Sequence, residues 1–178
     1  MKKMKRKLVA VVMVISLFMT MPVFAAELTW ADVPGHHNQS QLLSEEVTSS
    51  SDSIYGYARG DILSTSTTEI TNRQDGTLHL RITTYAHTYV DRIHHALYLD
   101  QWDENNSRWV QIESWDFEET KEDAEDGELT FLSNGFTVSG LSINKYYRVR
   151  GLHAVELNDE IEANATETDG VLLTNSPY

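Results

Sequence analysis

The chain has 178 residues, 40% hydrophobic and 23% charged, with 14 Lys and Arg against 27 Asp and Glu for a net charge of −13 at pH 7. A domain of this size buries about two thirds of its unfolded surface unaided, and the absence of cysteine excludes disulfides, a thiol nucleophile, a lipidated cysteine and Cys-ligated zinc. So large an acid surplus argues against nucleic acid and anionic membrane surfaces as partners, and leaves Ca²⁺, wall polycations and neutral ligands open.

Residues 1–25 read as a secretory signal peptide. Lys2, Lys3, Lys5, Arg6 and Lys7 precede an apolar run over 8–18, and Pro22 with Val23-Phe24-Ala25 supplies the small-residue cleavage pattern, placing the cut after Ala25. A membrane-spanning anchor needs about 20 predominantly apolar residues, twice what this core provides. Five of the 14 basic residues go with the leader, which leaves nine against 27 acids, a charge of −18. No second apolar segment follows, so the expected location is extracellular, with no membrane contact after cleavage.

Residues 26–55 read as a flexible Ser-rich arm. Apolar residues are sparse and without period, and the stretch ends in Ser49-Ser50-Ser51-Asp52-Ser53. Such composition does not offset the entropy of ordering. A short helix over 41–47 is the one element expected within it. The folded domain, 56–176, is expected to start near Tyr57 or Gly60.

From there the apolar period is two. A Thr-rich strand over 62–70 leads through the turn signal Asn72-Arg73-Gln74-Asp75-Gly76 to Leu78, Leu80 and Ile82, which alternate with His79, Arg81 and Thr83. Segments 93–102 and 109–117 flank the polar loop Asp103-Glu104-Asn105-Asn106-Ser107 as the arms of a hairpin. Further strands are expected at 129–132, 136–141, 146–154, 160–166 and 170–174. This pattern predicts an all-β fold, an antiparallel β-sandwich of seven or eight strands, with a small β-barrel as the alternative. Tyr147, six residues after Leu141 and two before Val149, fits the tyrosine corner of immunoglobulin-like and fibronectin-type-III-like sandwiches, where the hydroxyl bonds the backbone upstream.

Four segments carry a family likeness: Arg59-Gly60-Asp61-Ile62-Leu63-Ser64; Tyr98-Leu99-Asp100-Gln101-Trp102 with Trp109-Val110; Tyr146-Tyr147-Arg148-Val149-Arg150-Gly151-Leu152-His153; and Thr168-Asp169-Gly170-Val171. Over 56–174 the chain resembles a family of small secreted proteins from Firmicutes, chiefly clostridial, without established function. The resemblance implies a secreted β-rich domain and brings no catalytic residues.

Candidate sites follow from residue chemistry. The segment 116–128 holds eight carboxylates and one lysine, and Asp123, Glu125, Asp126 and Glu128 are the oxygens that would bind Ca²⁺; the spacing does not match an EF-hand, and a solvated acidic loop is the plainer reading. His79, His87, His94, His95 and His153 fall in or near strands, with His94 and His95 on opposite faces, and His36-His37 lies in the arm. Trp109, Trp115 and Phe117 share one parity of a strand, Val110 and Ile112 the other. With the aliphatic pair inward, the three rings form an exposed aromatic face suited to polysaccharide, cell wall or an extracellular protein; the reverse assignment puts the rings in the core. Nucleophile-elbow, metalloprotease and phosphate-loop motifs are missing, and carboxylate pairs such as Asp100 with Asp103 or Asp116 with Glu118 arise by chance among 27 acids. The expected role is a secreted binding or interaction module, not an enzyme, with no cofactor beyond a Ca²⁺ option. A Ca²⁺-stabilised adhesin-like domain is the rival to wall binding.

Overall fold

A computed structural model describes residues 28–56 and 62–176; the leader, its cleavage site and the expected domain start at Tyr57 or Gly60 lie outside them. Nine strands follow in order: β1 (Ser49–Tyr55), β2 (Leu63–Asn72), β3 (Leu78–Ala86), β4 (Arg92–Asp103), β5 (Arg108–Thr120), β6 (Phe131–Val138), β7 (Tyr146–Leu157), β8 (Glu160–Glu167) and β9 (Val171–Leu172). They form two antiparallel sheets, β1-β2-β3-β6 and β5-β4-β7-β8, with β9 paired to β7 at Tyr146 and Tyr147. No ladder joins the sheets among the described residues, so the architecture is the sandwich and not the barrel.

Local chemistry sets the turns. After β2 the Asn72 side chain accepts the Gln74 N–H at 2.8 Å, and Asp75 accepts both the N–H and the hydroxyl of Thr77. Gln74 and Gly76 take positive φ, 60° and 81°, as a tight reversal requires. Between β4 and β5, Asp103 accepts the Asn105 and Asn106 N–H groups and Ser107 sits at φ 48°.

Alternation then builds the core. Ile70, Leu78, Leu80 and Ile82 of one sheet meet Leu97, Leu99, Tyr147 and Val149 of the other, all fully buried. A second cluster closes one end around Ile62, Leu63, Ile93, Leu129 and Val155. The Tyr147 hydroxyl donates to the Ser142 carbonyl at 2.9 Å, five residues upstream, and desolvation raises its pKa. That is the corner bond expected of this tyrosine.

Two expectations need correction. The strands expected at 129–132 and 136–141 merge into one, β6, over 131–138, because Ser133, Asn134 and Gly135 pair with Thr83, Ile82 and Arg81 of β3, and the ladder outweighs the weak strand propensity of Asn and Gly. The arm is ordered over its described residues. Trp30 and Val33 are buried against Ala96, Leu152 and Ala165 on the outer face of the β4-β7-β8 layer, and the Ser-rich tract is β1, paired residue by residue with β2. Backbone bonds hold the rest: His36 N–H to Ala165 O, Ala165 N–H to Pro34 O, Leu43 N–H to Gly170 O and Gly170 N–H to Gln41 O, at 2.7 to 2.9 Å. No helix forms over 41–47, where Leu42 bridges Gly170 and Val47 closes a turn onto Ser44.

Candidate functional site

No described element covers the outer face of the β1-β2-β3-β6 sheet. Ladder register places Tyr55 opposite Thr65, Thr65 opposite Tyr85, and Tyr85 opposite Phe131, one row across all four strands. The three rings are 67%, 48% and 43% exposed. Tyr85 and Phe131 lie with centroids 4.7 Å apart and planes inclined at 39°. With strands about 4.8 Å apart, the row spans about 14 Å.

Below it runs a row of hydroxyls. Ser53 and Thr67 are 2.9 Å apart, as are Thr83 and Ser133. A third row carries Glu69 and Arg81, 3.8 Å apart, beside Gly135. Among the described outward positions of these strands Glu69 is the sole acid, so this face is close to neutral on a strongly acidic chain.

The ring set expected to form the platform is divided. In the β4–β5 ladder Leu99 pairs with Glu113 and Asp100 with Gln111, so Ile112 is an extra residue and the ladder bulges. One inserted residue reverses the facing of all that follows. Trp115 and Phe117 turn inward, their rings 4.8 and 5.8 Å from Phe136, while Trp109 turns outward beside Trp102 and under the Arg148 guanidinium. The aliphatic pair expected in the core, Val110 and Ile112, is 38% and 40% exposed. With Trp102 and Lys145 it lines a shallow cleft of about 310 Å³ at the hairpin tip.

The four Ca²⁺ candidates are not brought together. Asp123 accepts the Thr120 N–H and hydroxyl, Glu128 bonds the Tyr89 hydroxyl and raises its pKa, and Glu125 and Asp126 sit in the 3-10 turn Glu125–Gly127. No group of three or more His, Asp or Glu placed to hold a metal ion occurs among the described residues.

Two histidines do meet. His95 and His153 are buried on neighbouring strands of the inner face, their rings 5.6 Å apart, and the Thr84 hydroxyl lies 2.7 Å from His95 Nε2 and 2.9 Å from His153 Nδ1. Burial lowers the His95 pKa to about 4 and that of His153 well below its ordinary value. His94 points the other way, 3.6 Å from Asp116.

Under the arm lies a charge node that the sequence left unmarked. Asp100 takes Arg148 at 2.9 Å and Arg150 at 2.8 Å, Arg148 also reaches Glu167 at 3.0 Å, and Glu167 accepts the N–H groups of Asn38, Gln39 and Ser40. Arg150 stacks over Trp30 and Tyr98. Asp100 is thus sealed by two guanidinium groups and does not form an open carboxylate pair with Asp103.

Fold and surfaces together define a two-sheet antiparallel sandwich with one layer strapped by its own N-terminal arm and the other covered by no described element. Residues 32–171 match the model of a family of unknown function, DUF6147, and the chain belongs to that family. No curated protein matches the chain.

Proposed function

We propose that the protein is an exported binding module, without chemistry of its own, that holds an extended neutral polysaccharide of a cell wall across the outer face of the β1-β2-β3-β6 sheet. The observation that carries this reading is the cross-strand row Tyr55, Tyr85 and Phe131. Aromatic faces take the apolar C–H surface of a sugar ring, and Phe131 and Tyr85 stand one strand spacing apart, about 5 Å, with Tyr55 two spacings further across Thr65, about 10 Å, one and two residues of an extended β-linked chain. The hydroxyl row supplies polar partners beside the rings. Near-neutrality of the face on an acidic molecule favours an uncharged ligand.

Export rests on the leader at 1–25, and a Firmicutes source would put the domain among wall polysaccharides. A fibronectin-type-III-like kinship draws support from the Tyr147 corner and from the crossing order, in which β6 returns beside β3 and β7 beside β4.

Binding isotherms on insoluble cellulose, xylan, chitin and purified wall sacculi test the proposal. At least one polysaccharide is expected to bind, and Tyr85→Ala to weaken it about tenfold or more while the far-ultraviolet circular dichroism is unchanged. Failure across all four, or a Tyr85→Ala isotherm matching the parent, overturns it.

A further inference from the structure

An edge strand presents unpaired backbone N–H and C=O groups, and proteins guard such edges with charge, bulges or a covering segment. Among the described strands, β1 and β6 stand at the edges of one sheet, and β5 on one side and β8 with the short β9 on the other at those of the second. The arm's backbone closes the β8 side at Ala165 and Gly170. Strand β5 is bulged at Ile112 and carries Glu113, Asp116, Glu118 and Glu119. Strand β1 carries an inward-pointing charge, Asp52, committed to the Glu167 N–H and to His36.

Strand β6 has none of these devices. Its eight residues, FLSNGFTV, include no charge and no proline, its ladder to β3 runs without a register shift, and it makes no backbone hydrogen bond to any other described element. Of its inward residues Leu132 is buried in the core, whereas Asn134, Phe136 and Val138 are half-buried, so the sandwich is open along the 134–138 end of this side. In an antiparallel ladder alternate residues bond outward, which leaves about half of the β6 N–H and C=O groups pointing away from β3. An uncharged edge of this length, with Phe, Thr and Val at its ends and its ladder to β3 already formed, pairs readily with another strand.

Charge selects the occupant. Strand β5 lies beneath β6, with Trp115 and Phe117 against Phe136. The segment 116–128, which runs from β5 towards β6, holds eight carboxylates and one lysine, and Lys121 is already tied to Asp91. A second copy would bring two such acidic edges together, whereas a cationic strand meets them as a counter-charge. We propose that β6 is a docking edge for an extended cationic segment of another protein, which adds to the β1-β2-β3-β6 sheet as a fifth strand. Backbone hydrogen bonds supply the affinity, and the negative field of the 116–128 segment supplies the selection for positive charge. This site is independent of polysaccharide binding, since it uses the strand's edge and not its outer face.

Amide hydrogen exchange of the isotope-labelled protein, with an alternating (Lys-Val)4 peptide and its (Glu-Val)4 counterpart as probes, tests it. The lysine peptide is expected to slow the exposed amides of 131–138 about tenfold at saturation and the glutamate peptide to leave them unchanged. Thr137→Lys, which charges the edge, is expected to weaken lysine-peptide binding about tenfold without lowering the thermal midpoint. Equal binding of the two peptides, protection on β5 in place of β6, or β6 protection that rises with protein concentration in the absence of peptide, which would make a second copy the occupant, each overturns the proposal.

Discussion

Two imidazoles inside an apolar sandwich are tolerated only when each ring nitrogen has a partner. His95 Nδ1 lies 2.8 Å from Asn134 Oδ1, an acceptor, so this nitrogen carries the proton and Nε2 accepts the Thr84 hydroxyl. Thr84 Oγ1 then accepts His153 Nδ1–H, His153 Nε2 accepts the Thr166 hydroxyl at 2.9 Å, and Thr166 Oγ1 takes the Thr68 hydroxyl at 2.5 Å. Both rings are neutral and the chain of donors closes. Gly151 makes the room: a Cβ there would stand 2.2 Å from Thr68 Oγ1 and 2.9 Å from His153 Nε2. Thr84→Val preserves shape but strips a partner from each ring, so it is expected to cost about 3 kcal/mol, read by urea unfolding; a loss below about 1 kcal/mol would show that the network is not closed through Thr84. Alternation in the sequence puts His95 and His153 on inner faces. That both reach one threonine depends on the β4–β7 register, which pairs them directly, and no local pattern encodes it.

At the scale of elements, strands and hairpin turns were legible because turn residues separate period-two runs. The arm and the bulge were not. The arm is held by backbone bonds to Ala165 and Gly170 and by a carboxylate that caps three N–H groups, interactions that leave no apolar period to read. Ile112 looks like any strand residue, yet its lack of a partner on β4 separates Trp109 from Trp115, two rings whose spacing alone suggests a shared face. The platform on the other sheet was hidden for the same reason: Tyr55, Tyr85 and Phe131 lie on three strands, and only register aligns them. Glu167 is the latch of the arm, buried and shared between Arg148 and the loop 38–40. Glu167→Ala leaves the buried Arg148 guanidinium short of one of its two carboxylate partners and the loop uncapped. Limited proteolysis is expected to cut within about residues 30–45 before any other site, with unfolding free energy lowered by about 3 to 5 kcal/mol. Cleavage at the parent's rate would mean that the backbone bridges hold the arm without the latch.

For the whole molecule, stability is tied to pH through groups that are neutral inside and charged outside. Burial holds His95 down to about 4 and His153 well below 6.5, while both titrate near about 6.5 once unfolded. Between these limits the unfolded chain binds more protons than the folded one, so stability falls as pH falls from about 6.5 towards 4, by about 3 kcal/mol for His95 alone and further for His153. The exposed carboxylates act lower on the scale. Hydrogen bonds from Thr77, Lys121, Asn106 and Thr120 hold Asp75, Asp91, Asp103 and Asp123 below the ordinary carboxylate value, so what they contribute is present above about pH 4 and drains away beneath it. Relief of the net negative charge on acidification works in the opposite direction, but the carboxylates stay largely ionised above about pH 5, so histidine titration governs the first leg. Urea unfolding at about pH 7.5, 6 and 5 is expected to show a steady loss of free energy that begins well above the carboxylate range. A flat profile over that interval would mean that His95 and His153 are protonated as readily in the fold as in water, which the closed hydrogen-bond chain through Thr84 forbids.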